Sequence, residues 1–213
     1  MRRPGKSFSI GPVVITLALL CTGCLGKPGL VEYYYLSSRV GDSPFYPGLE
    51  LTGQEIVAVG PVHLPPELEQ AGIVIRSGEQ HRLKVSRTRV WSAALEELMA
   101  AALTRNLSVM LDTDQVEAYP GSRFVEVRYQ IELEVLEFSG DLQREFSCVI
   151  VWSLNDNEKG GLVARKRFVS HEPIKEGDYE GYVAAASQSL VDLAEEISAA
   201  LAGNPSFCRN ITD

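Results

Sequence analysis

Three histidines and two aspartates are the side chains of this sequence that could carry acid–base or metal chemistry. His63, His81 and His171 are far apart in sequence, so a metal site or a catalytic triad would need distant residues to converge in space. Asp112 and Asp114 could act as paired carboxylates, but they directly follow a predicted helix, where aspartate commonly forms turns. None of the HExxH, GxSxG and GxxxxGKS/T motifs occurs. The sequence therefore predicts no enzyme, no cofactor and no metal site.

A different chemistry, covalent lipid attachment, is indicated by the run Cys21-Thr22-Gly23-Cys24. Three cations in the first six residues precede an apolar stretch at 10–20, which is the arrangement of a signal peptide. That stretch is too short to span a bilayer, which takes about 20 residues. The run resembles a bacterial lipobox, which predicts cleavage before Cys24 and acylation of its sulfur and nitrogen. Cleavage before Cys21 would put bulky Leu20 where a small residue is required, and an ordinary secretory signal is the other alternative.

The lipobox sets the expected organisation of the chain. It predicts a lipoprotein signal peptide at 1–23, a lipidated tether at 24–31, a single α+β domain at 32–203 and a C-terminal tail at 204–213. Leu25 follows the cysteine, and because aspartate at that position retains lipoproteins at the inner membrane of enteric bacteria, the outer membrane is favoured. The eight steps from Cys24 to Glu32 reach at most about 27 Å. A globule of this size has a radius of gyration of about 16 Å, so one copy cannot bridge two membranes.

Composition places the rest of the chain among ordinary globular proteins. Of the 213 residues, 45% are hydrophobic and 23% are charged, which argues against disorder. The formal net charge is −8, and removing the three cations of the signal peptide makes it more negative. A chain this acidic is a poor ligand for nucleic acid.

Alternating hydrophobicity predicts most of the strands. The strongest pattern runs from Phe124 to Phe138, where valine, leucine and isoleucine alternate with glutamate and arginine, and its phase shifts at Leu136 as at a bulge. Further strands are predicted at 31–36, 55–64, 73–75, 83–85, 145–154 and 162–169, the last two joined by a hairpin loop at 155–161. The three long runs should form an antiparallel meander.

Two amphipathic helices complete the predicted domain. One is expected from Val90 to Leu107, and the other begins at a capping Asp178 and stops at Gly203. The expected fold is a two-layer α+β domain: an antiparallel sheet with both helices packed on one face.

Cys148 and Cys208 could form a disulfide, since an exported protein lies where disulfides persist. Cys148 alternates with Phe146, Ile150 and Trp152, however, which points it toward the core, while Cys208 lies in a polar tail. The pattern fits a buried thiol and a free exposed one better than a bridge. Both alternatives stay open.

A basic run from His81 to Arg89 contrasts with the acidic chain, and it carries Arg82, Lys84, Arg87 and Arg89. It could bind an acidic partner or lipid headgroups, although such runs are more often a solvated edge.

Several segments together resemble the PqiC/YmbA family of ABC-type transport auxiliary lipoproteins. The segments are Tyr34-Tyr35-Leu36, the block from Val59 through Leu64 and Pro65, a Val90-Trp91 pair that opens a helix ending at Asn106-Leu107, the long alternating strand, and the final Ala/Ser/Leu helix. Their order and spacing cover nearly the whole mature chain.

The resemblance implies a periplasmic, non-enzymatic subunit on the outer membrane. Its partners would be an MCE-domain protein and, indirectly, an ABC permease and ATPase that move phospholipid or other lipid between the membranes; a second copy of the chain is a further candidate partner. The expected partner surface comprises Tyr33, Tyr34, Tyr35, Leu64, Pro65, Arg82, Lys84, Arg87, Arg89 and Trp91. A structural envelope lipoprotein without a transport role is the alternative function.

Overall fold

A computed structural model describes residues 29–38, 41, 45–46, 49, 51, 55–77, 81–121 and 126–203. The predicted signal peptide, Cys24, the C-terminal tail and Cys208 lie outside these ranges. The described residues from Val31 onward belong to one compact unit. Within the described ranges, no helix is both long and apolar enough to cross a membrane.

The described part of the chain forms eight strands and two helices. The strands are β1 (Glu32–Tyr34), β2 (Glu55–His63), β3 (Gly72–Arg76), β4 (Leu83–Trp91), β5 (Val116–Ala118), β6 (Glu126–Gly140), β7 (Glu145–Asp156) and β8 (Gly161–Pro173). The helices are α1 (Leu95–Leu111) and α2 (Tyr179–Leu201), and a 3-10 turn spans Pro66–Leu68.

All eight strands belong to one sheet, with the long β6 at its centre. One edge of β6 pairs with β2 and, near its end, with β3; the other edge pairs with β7. The neighbours across the sheet are therefore β1, β4, β3, β6, β7 and β8, with β2 and β5 beside the first part of β6.

The α+β class is confirmed, but the sheet is mixed instead of antiparallel. The meander of β6, β7 and β8 is antiparallel as predicted, whereas β1 with β4, β2 with β5, and β2 and β3 with β6 are parallel. Both β2 and β3 lie parallel to β6, one after the other along the same edge of that strand. Alternation along a strand shows which face is buried, but it carries no information about the direction of the neighbouring strand.

The predicted bulge and hairpin are present. The register between β6 and β7 shifts between Val135 and Glu137, which leaves Leu136 exposed and Phe138 buried. The hairpin between β7 and β8 is closed by Asp156, whose carboxylate accepts hydrogen bonds from the backbone N–H groups of residues 158 and 159. The Asp156 carboxylate thus replaces backbone partners in the turn.

The first helix begins later than the sequence pattern predicts. Val90 and Trp91 belong to β4, where they pair with Tyr33 and Tyr34 of β1, and α1 starts only at Leu95. The apolar spacing of this segment fits both a strand end and a helix start, and pairing with β1 decides for the strand. At its other end α1 stops at Leu111, and the left-handed backbone of the next residue, Asp112 (φ 51°), confirms the predicted turn.

The second helix follows its prediction closely. Asp178 caps α2 by accepting a hydrogen bond of 2.8 Å from the Gly181 N–H, and the helix ends at Leu201. The helices contact each other and the sheet, so both cover one face of it.

Aromatic side chains fill the interface between this sheet face and the helices. Phe146 lies edge-on to Phe138, with ring centroids 4.8 Å apart, and edge-on to Tyr182 of α2 at 5.0 Å. Trp152 and Cys148, which lie on the same strand as Phe146, are fully buried as well. Cys148 lies in the core, and burial raises the pKa of its thiol. Its burial agrees with the alternation; pairing with Cys208 stays a prediction.

A close backbone approach between β3 and β4 requires glycine at position 72. A Cβ added there would lie 2.1 Å from the Ser86 carbonyl oxygen, where β4 departs from regular register. We expect Gly72→Ala to lower the free energy of unfolding by about 1–3 kcal/mol, as overpacking does. Urea unfolding measures this change. Gly161→Ala is the matched control, because a Cβ at position 161 would meet nothing within 4 Å; equal midpoints for the two variants would contradict the prediction.

Candidate interaction surface

Side chains in and beside β1 alternate between buried and exposed. Tyr34 and Leu36 point into the core, whereas Val31, Tyr33 and Tyr35 alternate with them and are 47%, 70% and 64% exposed. The three consecutive tyrosines of the predicted partner surface are therefore divided. Tyr34 is a core residue, and its two neighbours are available for contact.

An ion pair connects β1, β4 and α2. Arg89 lies 2.9 Å from the Glu32 carboxylate and 5.9 Å from the ring centre of Tyr179. Tyr34 donates a hydrogen bond of 3.0 Å to the same carboxylate. Burial, reinforced by this bond, raises the pKa of Tyr34 to about 12. Arg89 thus orders the start of the domain, a role that its place in a basic run does not reveal.

The other cations of the basic run lie just before β4 and along its first half. Arg82, Lys84 and Arg87 are exposed, and so are Leu83 and Val85, each 49% exposed. The Ser86 hydroxyl accepts a hydrogen bond of 2.8 Å from the Arg89 N–H.

These exposed side chains lie one after another along the sheet edge formed by β1 and the first half of β4, with Tyr35 and Leu83 near its two ends. We call it the β1/β4 edge: Val31, Tyr33, Tyr35, Leu83, Lys84, Val85 and Arg87. The surface predicted from the sequence did not include the exposed residues Val31, Leu83 and Val85, although the period of two from Val31 to Tyr35 is visible in the sequence.

The remaining predicted surface residues lie elsewhere or are buried. Trp91 is 6% exposed and part of the core. Leu64 and Pro65 are half-buried at the end of β2, where Leu64 packs against the core. The turn that follows them reaches a groove of about 460 Å³ whose lining includes Leu68, Ala71 and Trp91. Tyr33, Tyr35 and the exposed cations therefore lie along one edge of the sheet. Leu64 and Pro65 do not belong to that edge and lie close to this groove in the chain.

The histidines and aspartates are not brought together. His63 lines a shallow pocket of about 240 Å³ with Glu134 and Arg165, whereas Asp112 and Asp114 line a separate one with other residues of the α1 end. His171 lies 3.7 Å from Glu145 at the exposed end of the hairpin strands. Among the described residues, no group of three or more potential metal ligands occurs.

One carboxyl beneath α2 has a perturbed pKa. Burial, and the nearby Asp192 carboxyl, raise the pKa of Glu172, partly opposed by a hydrogen bond from the Ser170 hydroxyl. A carboxyl whose pKa is raised on folding contributes its stability below its unfolded pKa, and that contribution is lost as pH rises through the folded pKa.

We therefore expect Glu172→Gln to raise the melting temperature at neutral pH. The advantage should disappear as the pH falls below the ordinary glutamate pKa of 4.5, where the wild-type carboxyl is protonated too. Thermal unfolding by circular dichroism at both pH values measures this. Glu69→Gln, at an exposed position, is the control; an advantage for Glu172→Gln that grows on acidification would refute the assignment.

Comparison with known proteins identifies the family. The model of the ABC-type transport auxiliary lipoprotein component matches residues 48–198. The chain belongs to this family. The PqiC/YmbA-like resemblance is thereby confirmed. No match was found among curated proteins.

Two crystal structures share the fold. One, of an uncharacterised protein, is 20% identical, with a TM-score of 0.59, and the match covers 79% of this chain and 97% of that one. The other, a DUF330 protein from Xanthomonas campestris, is 16% identical, with a TM-score of 0.64, and the match covers 82% and 98% of the two chains. Identities this low show the fold alone. The family is defined as a transport auxiliary lipoprotein, so membership associates this chain with ABC-type transport.

Proposed function

We propose that this chain is a lipid-anchored outer-membrane subunit that docks an MCE-domain protein of an ABC-type lipid transport system. The observation that carries the proposal is the match to the auxiliary lipoprotein family over residues 48–198. A lipobox-like cysteine, Cys24, precedes that region in the sequence. Leu25 after the cysteine favours the outer membrane over the inner one.

The packing of the domain supports docking over lipid carriage. A carrier would need an apolar cavity of several hundred Å³ between the sheet and the helices. Here that interface contains fully buried large side chains, among them Phe138, Phe146, Trp152 and Tyr182. The proposal assigns ATP hydrolysis to the partner ATPase and lipid passage to the MCE protein, and it gives this chain no catalytic step.

The short tether supports a role close to one membrane. With at most about 27 Å between Cys24 and Glu32, the domain stays at the membrane surface. A partner that spans the periplasm must therefore reach it, and the lipoprotein would fix the far end of that partner against the outer membrane.

Crosslinking and affinity capture of the intact lipoprotein from its own membranes tests the proposal. We expect recovery of an MCE-domain protein, identified by mass spectrometry, and loss of that recovery for a Cys24→Ala variant that is no longer anchored. Recovery of only other outer-membrane or cell-wall components would refute the transport role and favour a structural lipoprotein. Genes for MCE, permease and ATPase subunits beside this one would distinguish the two independently.

A further inference from the structure

The β1/β4 edge exposes large apolar side chains to water. Val31, Tyr33, Tyr35, Leu83 and Val85 expose between 47% and 70% of their surface. Solvent-facing strand positions are normally polar, and neighbouring exposed apolar side chains mark interaction sites. Tyrosine is enriched where one end of a side chain is apolar and the other is wet, as at membrane interfaces.

We propose that the β1/β4 edge lies on the surface of the membrane that carries the lipid anchor, with its tyrosines among the lipid headgroups. This inference rests on the proposed function in one respect, the acylation of Cys24. It adds which part of the domain faces the lipid.

The charge of the edge favours a lipid surface as its occupant. The chain carries a formal net charge of −8, and a domain of that sign is repelled by anionic phospholipid. Exposed Lys84 and Arg87 lie on either side of exposed Val85 along β4, so the edge presents local positive charge. Cations at a membrane surface gain about 1 kcal/mol each from anionic headgroups.

The direction of the strands shows at which end of this edge the chain enters the sheet. β1 is parallel to β4, with Glu32 opposite Arg89. The polypeptide that precedes Glu32 therefore joins β1 on the side of β4 where Arg87 and Lys84 lie. Because the tether is short, the local concentration of lipid at this edge is high, and weak contacts suffice to orient the domain.

Photocrosslinking in native membranes tests the orientation. A benzoylphenylalanine replaces Tyr35 in the intact lipoprotein, and phospholipid adducts are identified by mass spectrometry after irradiation. The matched control places the same probe at Leu162, which is 59% exposed on β8. β8 lies at the other edge of the sheet, five strand spacings or about 24 Å from β1. We expect lipid adducts at position 35 and none at position 162.

Charge variants separate lipid attraction from simple proximity. With the probe at position 35, the Lys84→Gln/Arg87→Gln double variant should give roughly 25-fold less adduct, since each cation is worth about fivefold and the two factors multiply. The matched Arg165→Gln/Arg167→Gln variant of exposed residues on β8 should leave the yield unchanged. Adducts to a protein or to a second copy at position 35, or equal lipid adducts at position 162, would overturn the inference.

The mass of the amino-terminal peptide in the same samples shows whether Cys24 is acylated. This measurement distinguishes failure of the orientation from failure of the proposed anchor. An acylated Cys24 without lipid adducts at position 35 overturns the orientation and leaves the anchor intact. Lipid adducts with an unmodified Cys24 overturn the anchor and support the surface. If Cys24 is unmodified and position 35 gives no lipid adducts, both the anchor and the orientation are overturned.

Discussion

Replacing Cys24 with alanine is expected to abolish stable membrane attachment. The acyl chains on this cysteine would contribute about 0.8 kcal/mol for every buried methylene, so their loss removes an effectively permanent anchor. Without the cysteine, the signal peptidase of lipoproteins has no substrate, and the chain should be released or stay at its unprocessed size. Membrane fractionation with immunoblotting, together with incorporation of labelled palmitate, measures both effects.

The second cysteine of the same run supplies the control for this prediction. Cys21→Ala keeps the small residues before Cys24 and should leave size, labelling and membrane retention as in the wild type. Unaltered mature size and retention for Cys24→Ala would refute the lipobox assignment. Loss of labelling in Cys21→Ala alone would move the modified residue to position 21.

Replacing Phe146 with alanine should give the largest loss of stability in the domain. Its ring is fully buried on β7 and lies edge-on to Phe138 on the neighbouring strand and to Tyr182 on α2. Truncation leaves a cavity at the junction of sheet and helix, which costs about 3–5 kcal/mol for phenylalanine. Chemical unfolding followed by tryptophan fluorescence measures the change in the free energy of unfolding.

An exposed residue of the same hairpin separates burial from strand propensity. Leu162→Ala on β8 removes a comparable apolar side chain that is 59% exposed, so we expect a change within about 0.5 kcal/mol. If the two variants unfold at the same denaturant concentration, the aromatic cluster does not stabilise the core.

The long strands and the second helix could be predicted because their patterns are local. In β6 and β7 the apolar positions alternate over many residues, and Ile131, Leu133 and Val135 are buried as their spacing requires. The cap at Asp178 and the bulge at Leu136 are likewise set by neighbouring residues. Such features depend on interactions within a few positions of the chain.

The start of α1 could not be predicted in the same way. Val90 and Trp91 fit the helical spacing of the residues that follow, yet they pair with β1, more than fifty positions earlier in the chain. Pairing between distant strands satisfies backbone groups that a helix would otherwise satisfy, and no local pattern encodes that competition.

The predicted partner surface shows the same division. Of the residues predicted for that surface, Tyr33, Tyr35, Lys84 and Arg87 are exposed along one edge. The sequence did not separate them from Tyr34 and Trp91, which are core residues, or from Arg89, which pairs with Glu32.

The sequence by itself determined the α+β class, the antiparallel meander, the capped second helix and the resemblance to the auxiliary lipoprotein family, because each depends on local patterns or on the order of short motifs. Only the tertiary structure decided that the sheet is mixed, that β1 lies parallel to β4, and which tyrosines face outward. These features arise where strands distant in sequence meet, so the burial and the hydrogen bonds that select them exist only in the folded chain.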